Sequence, residues 1–589
     1  MPTRQAYGLI SLKLSLQMII TWVFLWGLCN TGPVFHQSSQ SSQPTMESRD
    51  LMPDLSMPRC RGVDIEEATI SQLQRWLEEG RFTSRDLTEC YFERINQLNG
   101  YLRAVIDLNP DALAIAEQMD TERIHGHVRG PLHGIPFLVK DNIATKDKMQ
   151  TTAGTSMLIG AEVPEDAKVV KLLRRAGAVL LGHANMSEWA SMRATYYAEG
   201  YSSRGGQSRN PYNLSENAGG SSSGPGISVA TNMCSFSIGT ETDSSVVLPA
   251  DRNGVVGIKP TPGLTSREGV IPESHHFDTV GTFGRTVADA VLVLDAISEP
   301  SSDLFAHISN KNILKGAKFG LPQKRIWEQA ASDDSVKSQY TALRKVLDEM
   351  QKFGTEIVEV EIPSAAERFP VGGGWDWDYP SKIGHPEQSE FTVVKVDFYN
   401  DLKIYLSQLL TNPHNIRSLE DVIEYNIKYT EHEGGVPGTH PAWPSGQDSF
   451  DKSLLSKGIK NDTYESACNS IHEESGDEGI KPALHWQAEI LDGLLVPIQA
   501  DDGVATQIAA QAGYPMITIP VGVAENRVPF GLAIIQEAYY EEKLIKFGSA
   551  LQDFIGGRPQ PGFANLHAKN YLYVGTPPDD KKEADDGTD

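Results

Sequence analysis

The sequence predicts an α/β fold, a sheet covered by helices on both faces, and three observations predict it. Short apolar runs recur at Ile135–Val139, Ala178–Leu181, Val255–Ile258, Phe319–Leu321, Leu494–Pro497, Met516–Pro520 and Phe530–Ile535. They are continuous rather than alternating, which is the texture of strands buried on both sides. Between them lie stretches with helical spacing, such as the one near Ala167–Ala176. The composition, 40% hydrophobic and 22% charged over 589 residues, is enough to bury a large core.

The folded part is expected to begin near Val63, and the first three elements read as helices. Thr69 followed by Gln72 is a capping box, Ile70, Leu73, Trp76 and Leu77 make an apolar stripe, and Gly80 is a natural stop. A second helix is expected from about Ser84 to Leu98, with Leu87, Tyr91, Ile95 and Leu98 on one face. Asn109-Pro110 is expected to open a third, with Asn as cap and Pro at the first helical position. Residues 364–482 differ in texture, being rich in Gly, Pro, His and Trp, as in Gly372–Pro380 and His440–Pro444. They read as a variable, loop-rich insertion, and Trp375, Trp377, Tyr379 and Trp443 are candidates for a hydrophobic substrate wall.

The ends are read separately. Met18–Cys29 is an apolar run preceded by Arg4 and Lys13 and followed by a Ser- and Gln-rich stretch, Ser38–Asp50. It is short for a membrane span and suits the apolar part of a signal peptide. Residues 1–30 are therefore expected to be a cleaved signal or an anchor, and 31–62 a disordered linker. Secretion is the expected localisation, with a cytoplasmic location as the alternative if Met46 or Met52 is the true start. Residues 571–589 read as an acidic, disordered tail. Of the sequons at Asn185, Asn213 and Asn461, the last is expected to be the exposed one. The five cysteines form no CxxC pair, and Cys60, Cys90, Cys234 and Cys468 are expected to be free thiols. The net charge of −25 excludes a nucleic-acid surface.

Two stretches carry chemistry. In Gly134–Asn142 an apolar strand delivers one lysine, Lys140, at its end. An apolar setting penalises the ammonium form and makes such a lysine a base. Gly219-Gly-Ser221-Ser-Ser-Gly224 and Gly239-Thr-Glu-Thr-Asp-Ser-Ser245 then present serine hydroxyls and backbone donors without the lysine of a phosphate loop or dinucleotide-loop spacing. A serine nucleophile needs a nearby base and a ring of N–H groups for the oxyanion. His275, His276 and Asp278 are weak candidates for a Ser-His-Asp site.

In order and spacing these residues resemble the amidase signature family, which includes fatty acid amide hydrolase and the A subunit of glutamyl-tRNA amidotransferase. Ser221 is the first serine after Gly219-Gly220, Ser245 closes the second motif 24 positions on, and Lys140 stands where the family's lysine stands. Val63–Arg123, Gly254–Asp289 and Leu491–Ala550 extend the likeness. The resemblance implies a large twisted mixed sheet in an amidase domain over 63–570. It implies an amidase acting on linear carboxamides, with Ser245 as nucleophile and Ser221 as proton relay on a cis peptide. Lys140 would be the base, and the N–H groups of Thr242, Asp243, Ser244 and Ser245 the oxyanion hole. It implies a small-molecule amide as partner and no cofactor or metal, and leaves a homodimer open. Membrane contact is expected only through an N-terminal anchor. The chain departs from the pattern at Ser244, where relatives carry glycine, at Ser223, and at Val247, often arginine. Ser244 is expected to strain or narrow the oxyanion hole. The alternatives are a catalytically impaired binding protein and an amidotransferase-type subunit.

Overall fold

The computed structural model describes residues 53–300, 303–363, 365–369, 376–501 and 503–572. The apolar run Met18–Cys29, most of the expected linker, Trp375 and nearly all of the acidic tail lie outside the described residues. Among the described residues no helix is long and apolar enough to cross a membrane.

Thirteen strands form among the described residues: β1 Val105–Leu108, β2 Pro136–Lys140, β3 Val179–Ala184, β4 Tyr201–Ser202, β5 Gly206–Gln207, β6 Phe236–Glu241, β7 Val256–Lys259, β8 Thr279–Gly284, β9 Lys318–Pro322, β10 Glu356–Val360, β11 Leu494–Val496, β12 Met516–Val523 and β13 Pro529–Ile535. Eleven make one mixed sheet in the order β1-β3-β2-β6-β8-β7-β12-β13-β11-β9-β10, and β4 and β5 pair separately. Every residue of β2, β3, β6, β7 and β8 is buried. Successive side chains of a strand point to opposite faces, so both faces are covered here. Helix Ser223–Ala230 packs on β2 and β6, Val287–Ile297 on β8, and Glu541–Ile555 on β12.

All seven apolar runs become strands, within a few residues of the expected bounds. β1, β6, β8 and β10 carry no such run: β6 (FSIGTE) and β8 (TVGTFG) have glycines and hydroxyls where apolar residues signal a strand. Gly239 shows the reason, since a Cβ there would lie 2.6 Å from Ser222 Oγ and 2.9 Å from the Phe283 ring.

The first helix, Ile70–Glu78, has the expected capping box between Thr69 and Gln72, and the second runs Ser84–Leu102. The third starts later than expected, at Ala112 with Asp111 in the cap position, because Asn109 Oδ1 accepts the Asp111 N–H in a turn of its own. The middle region is more helical than its composition suggests. Helices Glu390–Gln408, Leu419–Lys428, Asp448–Ser456 and Asp462–His472 fill much of it, the first packing against the last two. Its Gly and Pro residues punctuate the flanks, and the β-branched run Thr392-Val393-Val394 disguises a buried helix face. Asn461 is exposed and caps the last of these helices, whereas Asn185 and Asn213 are buried.

The chain packs from Leu55 onward, ahead of Val63: Leu55 O accepts from Arg94 Nη1 at 2.7 Å, and Cys60 is fully buried. The expectation of four free thiols is corrected by a disulfide between Cys60 and Cys90, whose Cα atoms are 5.6 Å apart. The chain before the first helix folds back along Ser84–Leu102, a tertiary contact that the 30-residue separation does not announce. Cys234 and Cys468 remain free. Closing a loop of this size is worth about 4 kcal/mol. The double variant Cys60→Ser/Cys90→Ser is therefore expected to unfold at lower denaturant than the oxidised protein. Reductant should shift the wild type alone.

Candidate active site

Topology sets the site. β2 runs parallel to both neighbours, pairing Lys140 with Ala184 on β3 and Val139 with Ile238 on β6. The carboxyl ends of β2 and β6 therefore coincide, and Lys140 emerges beside Thr240, at the sheet edge where open α/β sheets place their ligands. Past Lys140 the chain is pinned by buried Asp141, which accepts from Gly154 N at 2.8 Å and meets His183 Nδ1 at 2.9 Å.

Lys140 Nζ lies 2.7 Å from Ser221 Oγ, and Ser221 Oγ lies 2.9 Å from Ser245 Oγ. Two further acceptors, Thr240 Oγ1 at 2.8 Å and Thr240 O at 3.1 Å, complete the surroundings of Nζ. Asn142 Nδ2 donates to the same Thr240 hydroxyl at 3.0 Å. Burial pushes the Lys140 amine down from the usual lysine value of 10.5 to about 7, and the carboxyls of Glu273, Asp278, Glu241 and Glu199 hold it from falling further. A neutral amine has two hydrogens and one lone pair. Thr240 O and Oγ1 take the hydrogens, which leaves the lone pair for the Ser221 hydroxyl.

The Gly220–Ser221 peptide bond is cis. Gly220 admits no side chain, since a Cβ there would lie 1.8 Å from Glu199 Oε1 and 2.5 Å from Ser187 Oγ. Ser222 N donates to Ser245 O at 3.2 Å, stitching the two serine segments together. Thr242, Asp243, Ser244 and Ser245 form the turn between β6 and helix Val247–Arg252. Buried Glu241 pins its far end, accepting from Val246 N at 2.6 Å and Val247 N at 3.0 Å. Thr242 Oγ1 donates to Asp278 Oδ1 at 2.6 Å, and burial raises the Asp278 carboxyl to about 6.

Ser244 sits at φ +60° in that turn, the left-handed region where glycine is at ease. The departure from glycine thus falls on a position whose backbone favours glycine, at a cost of about 1 kcal/mol. Ser244→Gly is expected to unfold at an equal or higher temperature and to keep its turnover. A collapse of turnover in a folded variant would show that the Ser244 side chain is needed.

Ser221, Asp243, Ser244 and Ser245 line a cavity of about 350 Å³. Leu248, Ile498 and Trp377 give it apolar wall, and Asn217, Arg252 and Gln499 give it polar wall. Of the aromatic candidates among the described residues, Trp377 alone lines it. Trp443 is buried elsewhere, beneath the Arg193 guanidinium at 3.6 Å. His275 and His276 face Asp401 and Asp397, and neither lines the cavity. Two lining carboxyls have no counterpart among the motif residues. Glu199, pushed up by burial, accepts from Ser187 Oγ at 2.5 Å, and Glu273 is raised strongly by burial and by Asp278. Neither carries a local signal, and only the fold brings them in.

Comparison with known proteins gives the family. The family model described as Amidase matches residues 86–375. A Schizosaccharomyces pombe protein named as a putative amidase is 48% identical, over 90% of this chain and 91% of its own length. The A subunit of glutamyl-tRNA(Gln) amidotransferase from Halorhodospira halophila is 27% identical, over 82% of this chain and 97% of its own. Among solved structures, native peptide amidase from Stenotrophomonas maltophilia superimposes with a TM-score of 0.74 at 35% identity, covering 85% of this chain and 99% of that one. With a mixed sheet of eleven strands flanked by helices and relatives matched along most of its length, the chain belongs to the amidase signature family of hydrolases.

Proposed function

We propose that the protein hydrolyses the C–N bond of a linear carboxamide through an acyl-enzyme on Ser245, with Ser221 and Lys140 as its proton relay. The observation that carries this reading is the unbroken run from Lys140 Nζ to Ser221 Oγ to Ser245 Oγ, 2.7 and 2.9 Å, ending at the cavity wall. Lys140 acts in its neutral form. As the Ser245 Oγ–C bond forms, Ser245 passes its proton to Ser221 and Ser221 passes its own to Lys140. The carbonyl electron pair moves to oxygen, which the N–H groups of Thr242, Asp243, Ser244 and Ser245 receive. Ser221 then protonates the leaving amine and is reprotonated from Lys140. Water repeats the sequence on the acyl ester, releasing the acid and restoring Ser245. The relay accounts for every proton, and an amine poised at about 7 matches the work of a base at neutral pH.

Substrates in this reading are small linear amides, with the acyl part against Leu248, Ile498 and Trp377. The solved relative's description as a peptide amidase favours amides of short peptides. Ammonia release from amidated dipeptides, aliphatic amides and aryl amides tests this. Release abolished by Ser245→Ala is the expected result. No release from any class by a folded protein would favour the impaired, binding-protein reading that Ser244 motivates. Ammonia release seen only with partner subunits would favour the amidotransferase-type reading.

The protein is further proposed to enter the secretory pathway, a reading the Cys60–Cys90 disulfide supports, since such bonds persist in oxidising compartments. A mature N-terminus mapped beyond residue 29 in secreted material is the expected result.

A further inference from the structure

Outside the cavity, four ligand-type side chains from two distant segments converge. His275 and His276 lie on the turn joining Glu273 to Asp278, and Asp397 and Asp401 lie one helical turn apart on Glu390–Gln408. His275 Nδ1 is 2.8 Å from Asp401 Oδ2 and 3.6 Å from Asp397 Oδ1, and His276 Nδ1 is 2.7 Å from Asp397 Oδ2. The ligand atoms of His275, His276 and Asp397 all lie within 4.8 Å of one another. Asp397 is fully buried, Asp401 largely so, and the imidazoles are 36% and 37% exposed, so the group is open on one side only.

We propose that His275, His276 and Asp397 form a binding site for one divalent transition-metal ion of the zinc type, with Asp401 beside His275. Two imidazole nitrogens and one carboxylate oxygen make a three-ligand set, and Asp401 adds a second negative charge beside it to balance a divalent cation. Imidazole nitrogen selects such an ion over calcium or magnesium, which prefer all-oxygen sites. With metal–ligand bonds of about 2.1 Å, the edges of a tetrahedron are about 3.4 Å. The two imidazole-to-Asp397 separations, 2.7 and 3.6 Å, lie on either side of that value, and all three ligand atoms lie within 4.8 Å of one another. Each Nδ1 faces a carboxylate oxygen at hydrogen-bond distance, so the same atoms that share an N–H hydrogen without metal are aimed at one point when an ion takes its place. The outer shell is already built: Ser274 Oγ donates to Asp397 Oδ2 at 2.5 Å and Tyr464 Oη donates to Asp397 Oδ1 at 2.7 Å, fixing the carboxylate as metal sites require. An ion here would clip the helix to a turn whose first residue, Glu273, lines the cavity and whose last, Asp278, holds Thr242.

The test uses the full chain without an affinity tag, stripped by chelator and titrated with Co2+, read by visible d–d absorption, and with Zn2+, read by calorimetry. The expected result is one tightly bound equivalent, with Kd raised ~100-fold in His275→Ala/His276→Ala and ~10-fold in Asp401→Asn. Zn2+ should also raise the thermal midpoint of the wild type and leave that of the double variant unmoved. The histidines are partly exposed, so the double variant is expected to fold, which circular dichroism verifies. Absence of a saturable equivalent in the wild type, or equal affinity in the folded double variant, would overturn the site.

Discussion

Replacing Lys140 with methionine is expected to lower kcat/KM for amide hydrolysis by about 10⁴-fold while leaving the protein as stable as before or more so below pH 7. The two effects have one cause. The amine is enclosed by the sheet and pushed from 10.5 to about 7, so the native state holds a base that the unfolded chain would protonate. Between those values the unfolded chain binds more protons, and stability rises with pH across that window. Below pH 7 the full cost of burying this lysine is present, on the order of 5 kcal/mol. Methionine has a similar shape and removes that cost, offset in part by the hydrogen bonds lost at Ser221 and Thr240, about 1 kcal/mol each. A variant that gains stability as it loses turnover separates a base from a structural residue. In the wild type, kcat/KM should rise with pH and level off above about 7, since the neutral amine is the competent form. A profile flat from pH 5 to pH 9 would contradict this.

Ser245→Ala is expected to cost more, on the order of 10⁵-fold or beyond, because it removes the atom that bonds to the acyl carbon and not merely its assistant. Ser245 Oγ also meets Asp243 O at 3.4 Å, a contact too weak to matter for the fold. The variant should keep the wild-type thermal midpoint and bind substrate amides with little change. Combining it with Lys140→Met should cost almost nothing further, since the two act as one unit. Independent, multiplying losses would mean that they do not share a step.

The sequence shows the strands that are purely apolar and the helices with local caps, because both signals are contiguous. β2 and the Ile70–Glu78 helix, with its Thr69–Gln72 capping box, are of this kind. It does not show β6 and β8, whose glycines serve close packing, Gly239 against Ser222 and Phe283, Gly281 against Ile258 and Val246, and Gly284 against Thr286 and Ala290. Nor does it show the Cys60–Cys90 bond, which depends on the chain folding back, or the helices of 390–472, whose buried faces carry β-branched residues. The site divides the same way. Lys140, Ser221 and Ser245 stand in recognisable motifs, and Ser244 is conspicuous in the sequence by its departure from glycine, to which the structure adds a φ of +60°. Glu199 and Glu273 reach the cavity only through tertiary structure, and Thr240, although inside a motif, gains its contact to Lys140 from the coincident ends of β2 and β6.

The central claim is that Ser245 is a nucleophile activated through Ser221 by Lys140. The most direct test is reaction of the chain, lacking its first ~45 residues, with a fluorophosphonate, followed by mass-spectrometric mapping of the modified residue. The account predicts modification at Ser245 alone, slowed by orders of magnitude in Lys140→Met and Ser221→Ala. Modification at another serine, or undiminished labelling of Ser245 in the folded Lys140→Met variant, would contradict it.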